Sequence, residues 1–240
     1  MSMLDVVIPV GPSDIDVIHD QIKYTKKNII GLRNIYVVSP ATNTDIPGVI
    51  FVSESVFPFS IQDVASKHGA TSRNGWYLQQ LIKLYAGSCI PDILPNYLVV
   101  DADTFFLKPT SFLEDDVVFF NVGDEYHLEY FNHMRRVHPS FIRYMTRSGI
   151  SHHMLFTTEY VEEMRGIVED HHKKPFWEVF LEQVNTSNES GASEYEMYSN
   201  FMYRVHPDKV MLRNLKWANK NKLVLDQNYD YVSVHWYMRA

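Results

Sequence analysis

Cysteine, clustered positive charge and long apolar runs are scarce in this sequence. A single cysteine, Cys89, occurs in 240 residues, so an internal disulfide is excluded and a reducing compartment is expected. Aspartate and glutamate (29) outnumber lysine and arginine (22), and the net charge of −7 argues against a broad nucleic-acid-binding surface. No window holds the roughly 20 apolar residues of a membrane span, and the N-terminus shows no signal-peptide pattern. We therefore expect a cytoplasmic protein without a transmembrane segment.

Several nucleotide-binding and metal-binding signatures are missing as well. No Gly-x-Gly-x-x-Gly follows the first apolar run, which argues against a dinucleotide cofactor. A Gly-x-x-x-x-Gly-Lys loop is also missing, and this excludes a P-loop. Residues 124–138 are rich in histidine, but they have neither cysteine partners nor zinc spacing, so a structural zinc site is not expected there.

The sequence does contain a regular series of apolar segments. Hydrophobic residues make up 45% of it, which suffices for a packed core, and its length suits one α/β domain over residues 1–240. Residues 4–10, 34–38 and 49–52 are predicted strands. Ser13 and Asp14 are predicted to cap a helix with isoleucines at 15, 18, 22 and 29. This order predicts an α/β fold with a mixed, mostly parallel sheet flanked by helices.

The most informative stretch is residues 97–106, where an apolar run leads into two carboxylates, Asp101 and Asp103. Because side chains alternate along a strand, carboxylates spaced i, i+2 are expected to point the same way at its end. They would repel each other unless a cation lay between them. Oxygen ligands favour Mg²⁺ or Mn²⁺, which keep open positions for substrate phosphates. We therefore predict a divalent cation at the sheet edge where open α/β folds bind ligands.

Two other interpretations of this stretch are open. Asp101 and Asp103 could cap a turn after a core strand, because an Asp-x-Asp triplet alone is weak evidence. Phosphotransferases of the haloacid dehalogenase type carry Asp-x-Asp-x-Thr after a strand. Here Thr104 comes one position too early, Phe105 occupies the threonine position, and the pair lies near mid-chain instead of after the first strand. The metal interpretation ranks first because the pair ends an apolar run.

A second informative stretch, residues 71–84, predicts an amphipathic helix. Trp76, Gln80 and Lys83 share one stripe of that helix. Arg73 precedes it and would place a guanidinium at a helix N-terminus, which favours anions. The two cations, with the amide of Gln79 or Gln80, would suit a pyrophosphate. The alternative is the solvated polar edge of an ordinary helix.

The C-terminal third contributes two candidate sites. Ser193-Glu194-Tyr195-Glu196 fits a capping box, with Ser193 as the N-cap residue and Glu196 reaching back to it. Glu194 is not needed for that box and is the candidate general base. Residues 231–236 are a predicted last strand, which places His235 near its end.

Four motifs, in this order, resemble small single-domain GT-A glycosyltransferases with an Asp-x-Asp motif, such as those of large algal DNA viruses and bacterial surface-polysaccharide clusters. The motifs are Pro9-Val10-Gly11, Arg73-x-Gly75-Trp76-Tyr77-Leu78-Gln79-Gln80-x-x-Lys83, Asp101-Ala102-Asp103 and Ser193-Glu194-Tyr195-Glu196. The resemblance spans residues 4–236. It implies a Rossmann-like GT-A domain, a UDP-linked hexose or deoxyhexose donor and a carbohydrate acceptor.

The resemblance also implies roles for particular residues. Mn²⁺ or Mg²⁺ would bridge the Asp-x-Asp motif and the diphosphate, with His235 as a third protein ligand. Separately from the resemblance, the histidine-rich and aromatic composition of segment 124–138 favours a mobile loop that stacks on sugars or closes over the donor. The first motif would hold the uracil through backbone groups. His153 would hydrogen-bond the sugar, and the alternative for this residue is a satisfied structural histidine. The full set of donor-binding residues is then Pro9, Val10, Gly11, Arg73, Gln79, Gln80, Lys83, Asp101, Ala102 and His153.

In this picture Glu194 would deprotonate the acceptor hydroxyl, which implies in-line displacement with inversion. Retention of configuration stays open, because the motifs do not determine stereochemistry. Two other functions are also open. A metal-dependent sugar nucleotidyltransferase shares the α/β layout and the carboxylate pair, but it would need a richer glycine loop after the first strand. A non-catalytic glycan-binding homologue would be expected to have lost the carboxylates.

Overall fold

The computed structural model describes residues 2–40, 46–226 and 228–239. The strands are β1 (Leu4–Pro9), β2 (Leu32–Ser39), β3 (Ile50–Ser53), β4 (Asn96–Val100), β5 (Thr104–Phe106), β6 (Leu113–Glu114), β7 (Val117–Asn121), β8 (His153–Thr157), β9 (Val210–Arg213), β10 (Trp217–Asn219) and β11 (Tyr231–Ser233). The α-helices are α1 (Ile18–Asn28), α2 (Ile61–His68), α3 (Asn74–Cys89), α4 (Leu128–Val137), α5 (Thr158–His172), α6 (Phe176–Glu182) and α7 (Glu194–Val205).

The central sheet has five strands in the order β3-β2-β1-β4-β8. The pairs β3/β2, β2/β1 and β1/β4 are parallel, and β8 is antiparallel to β4. Strands β1 and β4 are buried along nearly their whole length, which explains why they are continuous apolar runs without polar alternation. The predicted class, α/β with a mixed and mostly parallel sheet flanked by helices, is confirmed.

Chain order across this sheet creates a crevice between β1 and β4. The chain leaves β1 toward β2 on one side, whereas β4 lies on the other side. The segments that follow these two parallel strands therefore lead to opposite sides, which leaves a crevice at their carboxyl ends. Open α/β sheets bind ligands at such a point. Gly11 follows β1 and Asp101 follows β4, so both of these predicted motifs flank the crevice.

A second, three-stranded sheet brings the C-terminal residues to the same place. Its order is β10-β11-β5, and β11 runs antiparallel to β5, with Ser233 opposite Thr104. Their side-chain hydroxyls are 2.7 Å apart in the buried interior. Because β5 begins directly after the Asp-x-Asp turn, this pairing places the residues that follow β11 beside that turn. A third sheet has the order β6-β7-β9.

Several predicted elements differ in their bounds or type. Ser13 and Asp14 belong to a 3₁₀ helix (Pro12–Asp14), and α1 begins only at Ile18. Ile15 is accordingly exposed, because the turn that separates the two helices carries it away from the core. The expected last strand ends at Ser233 and is followed by a 3₁₀ helix, Trp236–Met238.

The prediction of a mobile loop over residues 124–138 is wrong for most of that segment. Residues 128–137 form α4, whose buried positions are Phe131, His133, Met134 and Val137. This spacing puts them on one face of a helix. The high content of histidine and tyrosine obscured that amphipathic pattern in the sequence.

Candidate functional site

The two aspartates of the Asp-x-Asp motif lie on a tight turn and not on an extended strand. Strand β4 ends at Val100, and the Thr104 amide donates to the Asp101 carbonyl at 3.0 Å, which closes a four-residue turn. Ala102, between the aspartates, is buried. The expected cause of their common orientation, strand alternation, is therefore wrong. The turn places Asp101 and Asp103 beside His152 and His235, whose ring centroids are 5.1 Å apart.

Lys83 is a buried cation shared by two carboxylates. Its Nζ lies 2.8 Å from Asp101 Oδ1 and 2.8 Å from Glu194 Oε1, and the side chain is 8% exposed. Burial opposes the charge of Lys83, but the two carboxylates raise its pKa well above the ordinary value. Burial likewise opposes ionisation of Asp101, yet Lys83 and His152 lower the pKa of that carboxyl. Two of the three ammonium donors are thus already used.

Glu194, the predicted base, is buried at the first position of α7. Its side chain is 4% exposed, and its backbone amide donates to Gln80 Oε1 at 3.1 Å. Burial raises the pKa of Glu194, although Lys83 counteracts part of that effect. The next residue, Tyr195, donates its hydroxyl to Asp101 Oδ1 at 3.2 Å, and its ring lies 4.4 Å from Lys83 Nζ. The start of α7 is therefore tied to α3 and to the Asp-x-Asp turn.

Asp103 is paired with His235, which comes from the other end of the chain. His235 Nδ1 lies 2.8 Å from Asp103 Oδ2, and the Val234 amide donates to the Asp103 carbonyl at 2.9 Å. Burial disfavours protonation of His235, but the bond to Asp103 outweighs it and raises the pKa of the ring. Arg239 then extends to Asp14, with NH2 2.6 Å from Oδ1, so the C-terminal residues join the Asp-x-Asp turn to the 3₁₀ helix after β1.

The structure does not bring His153 to the site. This residue is 2% exposed and packs among the rings of Phe106, Phe112 and Tyr231, with centroid distances of 5.0, 5.3 and 4.8 Å. Burial keeps its pKa well below the ordinary value of histidine. His152 faces the site instead, with Nδ1 3.7 Å from Asp101 Oδ2. Adjacent residues at a strand start point to opposite faces, and the sequence motif did not show which of the two histidines faces inward.

Arg73 also lies elsewhere than predicted. Its guanidinium donates to the Glu189 carbonyl at 2.7 Å and to Ser190 Oγ at 2.9 Å, and it stacks on Trp76 at 4.2 Å. Arg73 and Lys83 are ten residues apart, so about 15 Å of helix axis separates them. Arg73 therefore holds the 189–190 loop, and it forms no ion pair within the part of the chain that the structure describes.

The two glutamines of α3 face different parts of the crevice. The side-chain amide of Gln79 lies close to Gly11, just after β1. A Cβ at position 11 would be only 3.3 Å from Gln79 Nε2, so the missing side chain of the glycine leaves room for this amide. Pro9 and Val10 precede that contact, and Val10 is buried. Gln80 is 1% exposed, and its Nε2 has no partner among the described residues. Gln79 thus borders the segment expected to hold uracil, whereas Gln80 supports Glu194.

Only half of the expected capping box forms. Ser193 Oγ accepts from the Glu196 amide at 3.2 Å, as predicted for an N-cap residue. The Glu196 carboxylate does not reach back to Ser193. It accepts instead from Ser148 Oγ at 2.6 Å and from Asn200 Nδ2 at 3.0 Å. Glu196 is completely buried, so these two partners satisfy its oxygens in the interior.

The site's charges suit a divalent cation. Lys83 lies between the carboxylates of Asp101 and Glu194, and Asp103 pairs with His235, so the three carboxylates at the crevice outnumber its one permanently charged cation. No three His, Cys, Asp or Glu side chains in the described ranges are already gathered as a metal cage. Mg²⁺ is commonly held by one or two carboxylates together with substrate phosphates, so the Asp-x-Asp pair fits that mode without a complete protein cage. His235 fits as well, because a ligating histidine often donates its other ring nitrogen to a carboxylate.

Sequence reasoning missed His152, Tyr195 and Arg239 as parts of the site. Tyr195 lies within the Ser193–Glu196 motif, and its position next to Glu194 was the available signal. His152 and Arg239 carry no comparable local signal, because β8 and the C-terminal residues reach the site only through tertiary packing. Among the described residues, no helix is long and apolar enough to span a bilayer.

The fold and the site together define an α/β protein with an acidic, lysine-bridged crevice at the carboxyl edge of its parallel strands. The chain belongs to a family of unknown function, DUF6492, whose model matches residues 15–227. None of the curated proteins matches the chain in sequence.

Solved structures of two glycosyltransferases are similar to this chain at low sequence identity. Mouse xyloside xylosyltransferase 1 in its apo form has a TM-score of 0.46 and 12% identity, over 91% of this chain and 87% of that chain. The galactosyltransferase LgtC, in complex with donor and acceptor sugar analogues, has a TM-score of 0.45 and 9% identity, over 96% of this chain and 86% of that chain.

Proposed function

We propose that this protein is a metal-dependent glycosyltransferase that moves a hexose or deoxyhexose from a UDP-linked donor to a carbohydrate hydroxyl. The observation that carries the proposal is the Asp101–Asp103 turn at the crevice between β1 and β4, with its excess of negative charge. A diphosphate is itself an anion, so it binds to such a turn only through a cation. The motif order that resembles GT-A glycosyltransferases supports the sugar-nucleotide donor.

The donor would lie along the crevice from β1 to β4. Backbone groups of Pro9, Val10 and Gly11 would hold the uracil, next to the amide of Gln79, which already approaches Gly11. Asp101 and Asp103, with His235, would hold Mn²⁺ or Mg²⁺. When bound, the cation supplies positive charge against the negative charge that develops on the leaving diphosphate.

The chain's own residues orient the reacting groups. Lys83 Nζ lies 2.8 Å from both Asp101 Oδ1 and Glu194 Oε1. The ammonium thus fixes Asp101, which would act on the donor side, relative to Glu194, which would act on the acceptor. The raised pKa of Glu194 suits a general base, because a more basic carboxylate accepts a proton more readily near neutral pH. With Oε1 held by Lys83, the second oxygen is assigned to the acceptor hydroxyl.

In the proposed reaction, one bond breaks and one forms at the anomeric carbon. The acceptor oxygen attacks that carbon, and the bond to the diphosphate oxygen breaks, with its electron pair leaving on UDP. The acceptor proton passes to Glu194. One displacement of this kind inverts the anomeric configuration.

The first test is metal-dependent donor binding and turnover. We expect one or more UDP-sugars, and not GDP- or dTDP-sugars, to raise the melting temperature in the presence of Mn²⁺. Asp103→Asn should abolish most UDP release while the protein stays folded, because the change removes a charge and keeps the shape. Asp20→Asn, which changes an exposed carboxylate on α1, is the matched control. Full turnover by EDTA-treated protein or by Asp103→Asn would show that the metal assignment is wrong.

A further inference from the structure

We infer that the acceptor sugar is held by an aromatic wall formed by Trp76, His127 and Tyr130, at the outer end of the crevice. This inference rests on the proposed glycosyl transfer and names the part of the site that would recognise the acceptor. The three rings come from two separate elements, α3 and the start of α4. All three side chains are half-buried, so they present ring surface to solvent without being loose.

The wall is held in place before any ligand arrives. His127 and Tyr130 are in edge contact at 4.4 Å between centroids, and Trp76 lies 6.5 Å from Tyr130 at an angle of 35°. His127 Nε2 lies 2.7 Å from the Ser190 carbonyl, and Ser190 Oγ accepts from the Arg73 guanidinium at 2.9 Å. A fixed wall loses little conformational entropy when a ligand binds.

The 189–191 loop connects the wall directly to Glu194. Arg73 stacks on Trp76 and donates to both Glu189 and Ser190, and the Gly191 amide donates to Tyr77 at 3.1 Å. Two residues after Gly191 the chain reaches the N-cap of α7, where Glu194 begins the helix.

One stripe of α3 leads from the wall to the carboxylates. Trp76, Gln80 and Lys83 are spaced i, i+4 and i+7, so about 10 Å of helix axis separates the indole from the ammonium. Along this stripe, Trp76 is half-buried, whereas Gln80 and Lys83 are buried. A sugar bound against Trp76 would therefore lie on the Glu194 side of the donor, which is where the acceptor hydroxyl is needed.

The chemistry of the wall favours a carbohydrate. A pyranose ring has an apolar face of C–H groups and a rim of hydroxyls, and a flat aromatic ring can cover the first while polar groups bind the second. Ligand sites typically combine aromatic surface with a few placed polar groups. Here Arg73, which lies over the Trp76 ring, the Ser190 hydroxyl and the His127 ring are polar groups beside the aromatic surface.

Saturation-transfer NMR with simple glycosides tests this inference. The probes are the methyl glycosides of glucose, galactose, mannose, xylose and N-acetylglucosamine, each added to the full chain with UDP and Mn²⁺. We expect at least one glycoside to show saturation of its ring C–H protons. Trp76→Leu should reduce that signal by about fivefold or more, because stacking on an aromatic ring contributes on the order of a factor of ten in binding. Trp76→Phe should retain most of the signal.

The control variant is Trp177→Leu, which removes another half-buried indole that packs on Phe59 away from the crevice. UDP affinity, measured by calorimetry, should be the same in wild type and Trp76→Leu. If UDP binds but no glycoside contacts the protein, or if contact survives Trp76→Leu unchanged, the inference is overturned and the donor proposal stands. If wild-type protein does not bind UDP with Mn²⁺, the proposed function itself is overturned.

Discussion

Lys83 is enclosed by carboxylates of two different elements, the turn after β4 and the first residue of α7. Burying charged groups costs desolvation energy, which the attraction between them offsets. Removing only one partner of a buried ion pair therefore destabilises the protein far more than replacing the whole pair by apolar residues. The arrangement makes Lys83 both a structural link and an electrostatic organiser of the site.

We predict that Lys83→Met lowers the free energy of unfolding by about 3–5 kcal/mol, because Asp101 and Glu194 are left facing each other without a cation. The double variant Lys83→Met/Glu194→Met should recover a large part of that loss, since it also removes one uncompensated charge. Urea unfolding of both variants measures the difference. An equal loss in the single and double variants would mean that packing, and not charge, is the source.

Substitutions of the two glutamates at the start of α7 should affect different properties, turnover for Glu194 and stability for Glu196. Glu194→Gln is expected to lower kcat by about 10²–10⁴-fold, the usual contribution of a positioned base. Glu196→Gln should keep turnover, but it disturbs the bonds to Ser148 and Asn200 and should cost about 1–3 kcal/mol of stability. Rate assays and melting scans on both variants decide the assignment. A fully active Glu194→Gln would remove this residue from the chemistry.

At the scale of elements, α3 contributes the most to both packing and site. Its middle residues are buried from Gln80 to Ala86, and Tyr97 of β4 donates to the Lys83 carbonyl at 3.1 Å. Gly87 allows α3 to approach its neighbours closely. A Cβ at that position would lie 2.7 Å from the Tyr97 ring and would overlap Thr158 of α5.

The two glycines of α3 give a matched test of this close approach. Gly87→Ala should lower the free energy of unfolding by about 1–3 kcal/mol, because the added methyl group cannot be accommodated without moving β4 or α5. Gly75→Ala meets no atom within 4 Å and should raise stability by up to about 1 kcal/mol through helix propensity. Urea unfolding of the two variants compares them directly. Equal effects would show that α3 can shift to absorb the methyl group.

At the scale of the whole molecule, buried histidines couple stability to pH. His133 is completely buried, with Nε2 2.8 Å from the Phe180 carbonyl, and desolvation lowers its pKa to about 4. In the unfolded chain an ordinary histidine has a pKa near 6.5, so the unfolded state binds more protons between these two values. His153 shifts in the same direction.

We therefore expect stability to be complete above about pH 6.5 and to fall as the pH drops toward 4, by about 3 kcal/mol for His133 alone. Urea unfolding at pH 7.5 and at pH 5 measures the slope. His133→Gln removes the titrating group and should flatten the slope, even if it is less stable at both values. If the free energy of unfolding of His133→Gln depends on pH as steeply as that of the wild type, groups other than His133 cause the acid sensitivity.

Local patterns in the sequence were enough to determine the class of fold and to identify several of the charged residues that lie at the crevice. The apolar runs of β1 and β4 specify buried strands, and strand–helix order specifies a mostly parallel sheet, because each depends on neighbouring residues only. Asp101, Asp103 and the N-cap Ser193 are recognisable for the same reason. Only the tertiary structure decided which partners these residues meet.

Apart from the local turn at Asp101–Thr104, burial and long-range pairing account for the corrections at the site. Lys83 meets Glu194 across 111 residues, and Asp103 meets His235 across 132, at distances that no sequence period encodes. The register of β8 on β4 turns His152 toward Asp101 and His153 into the core. Arg73 lies on the 189–190 loop because α7 packs against α3. A sequence lists the side chains that are available to a site, whereas packing determines which of them face each other, because contact depends on how separate elements are arranged in space.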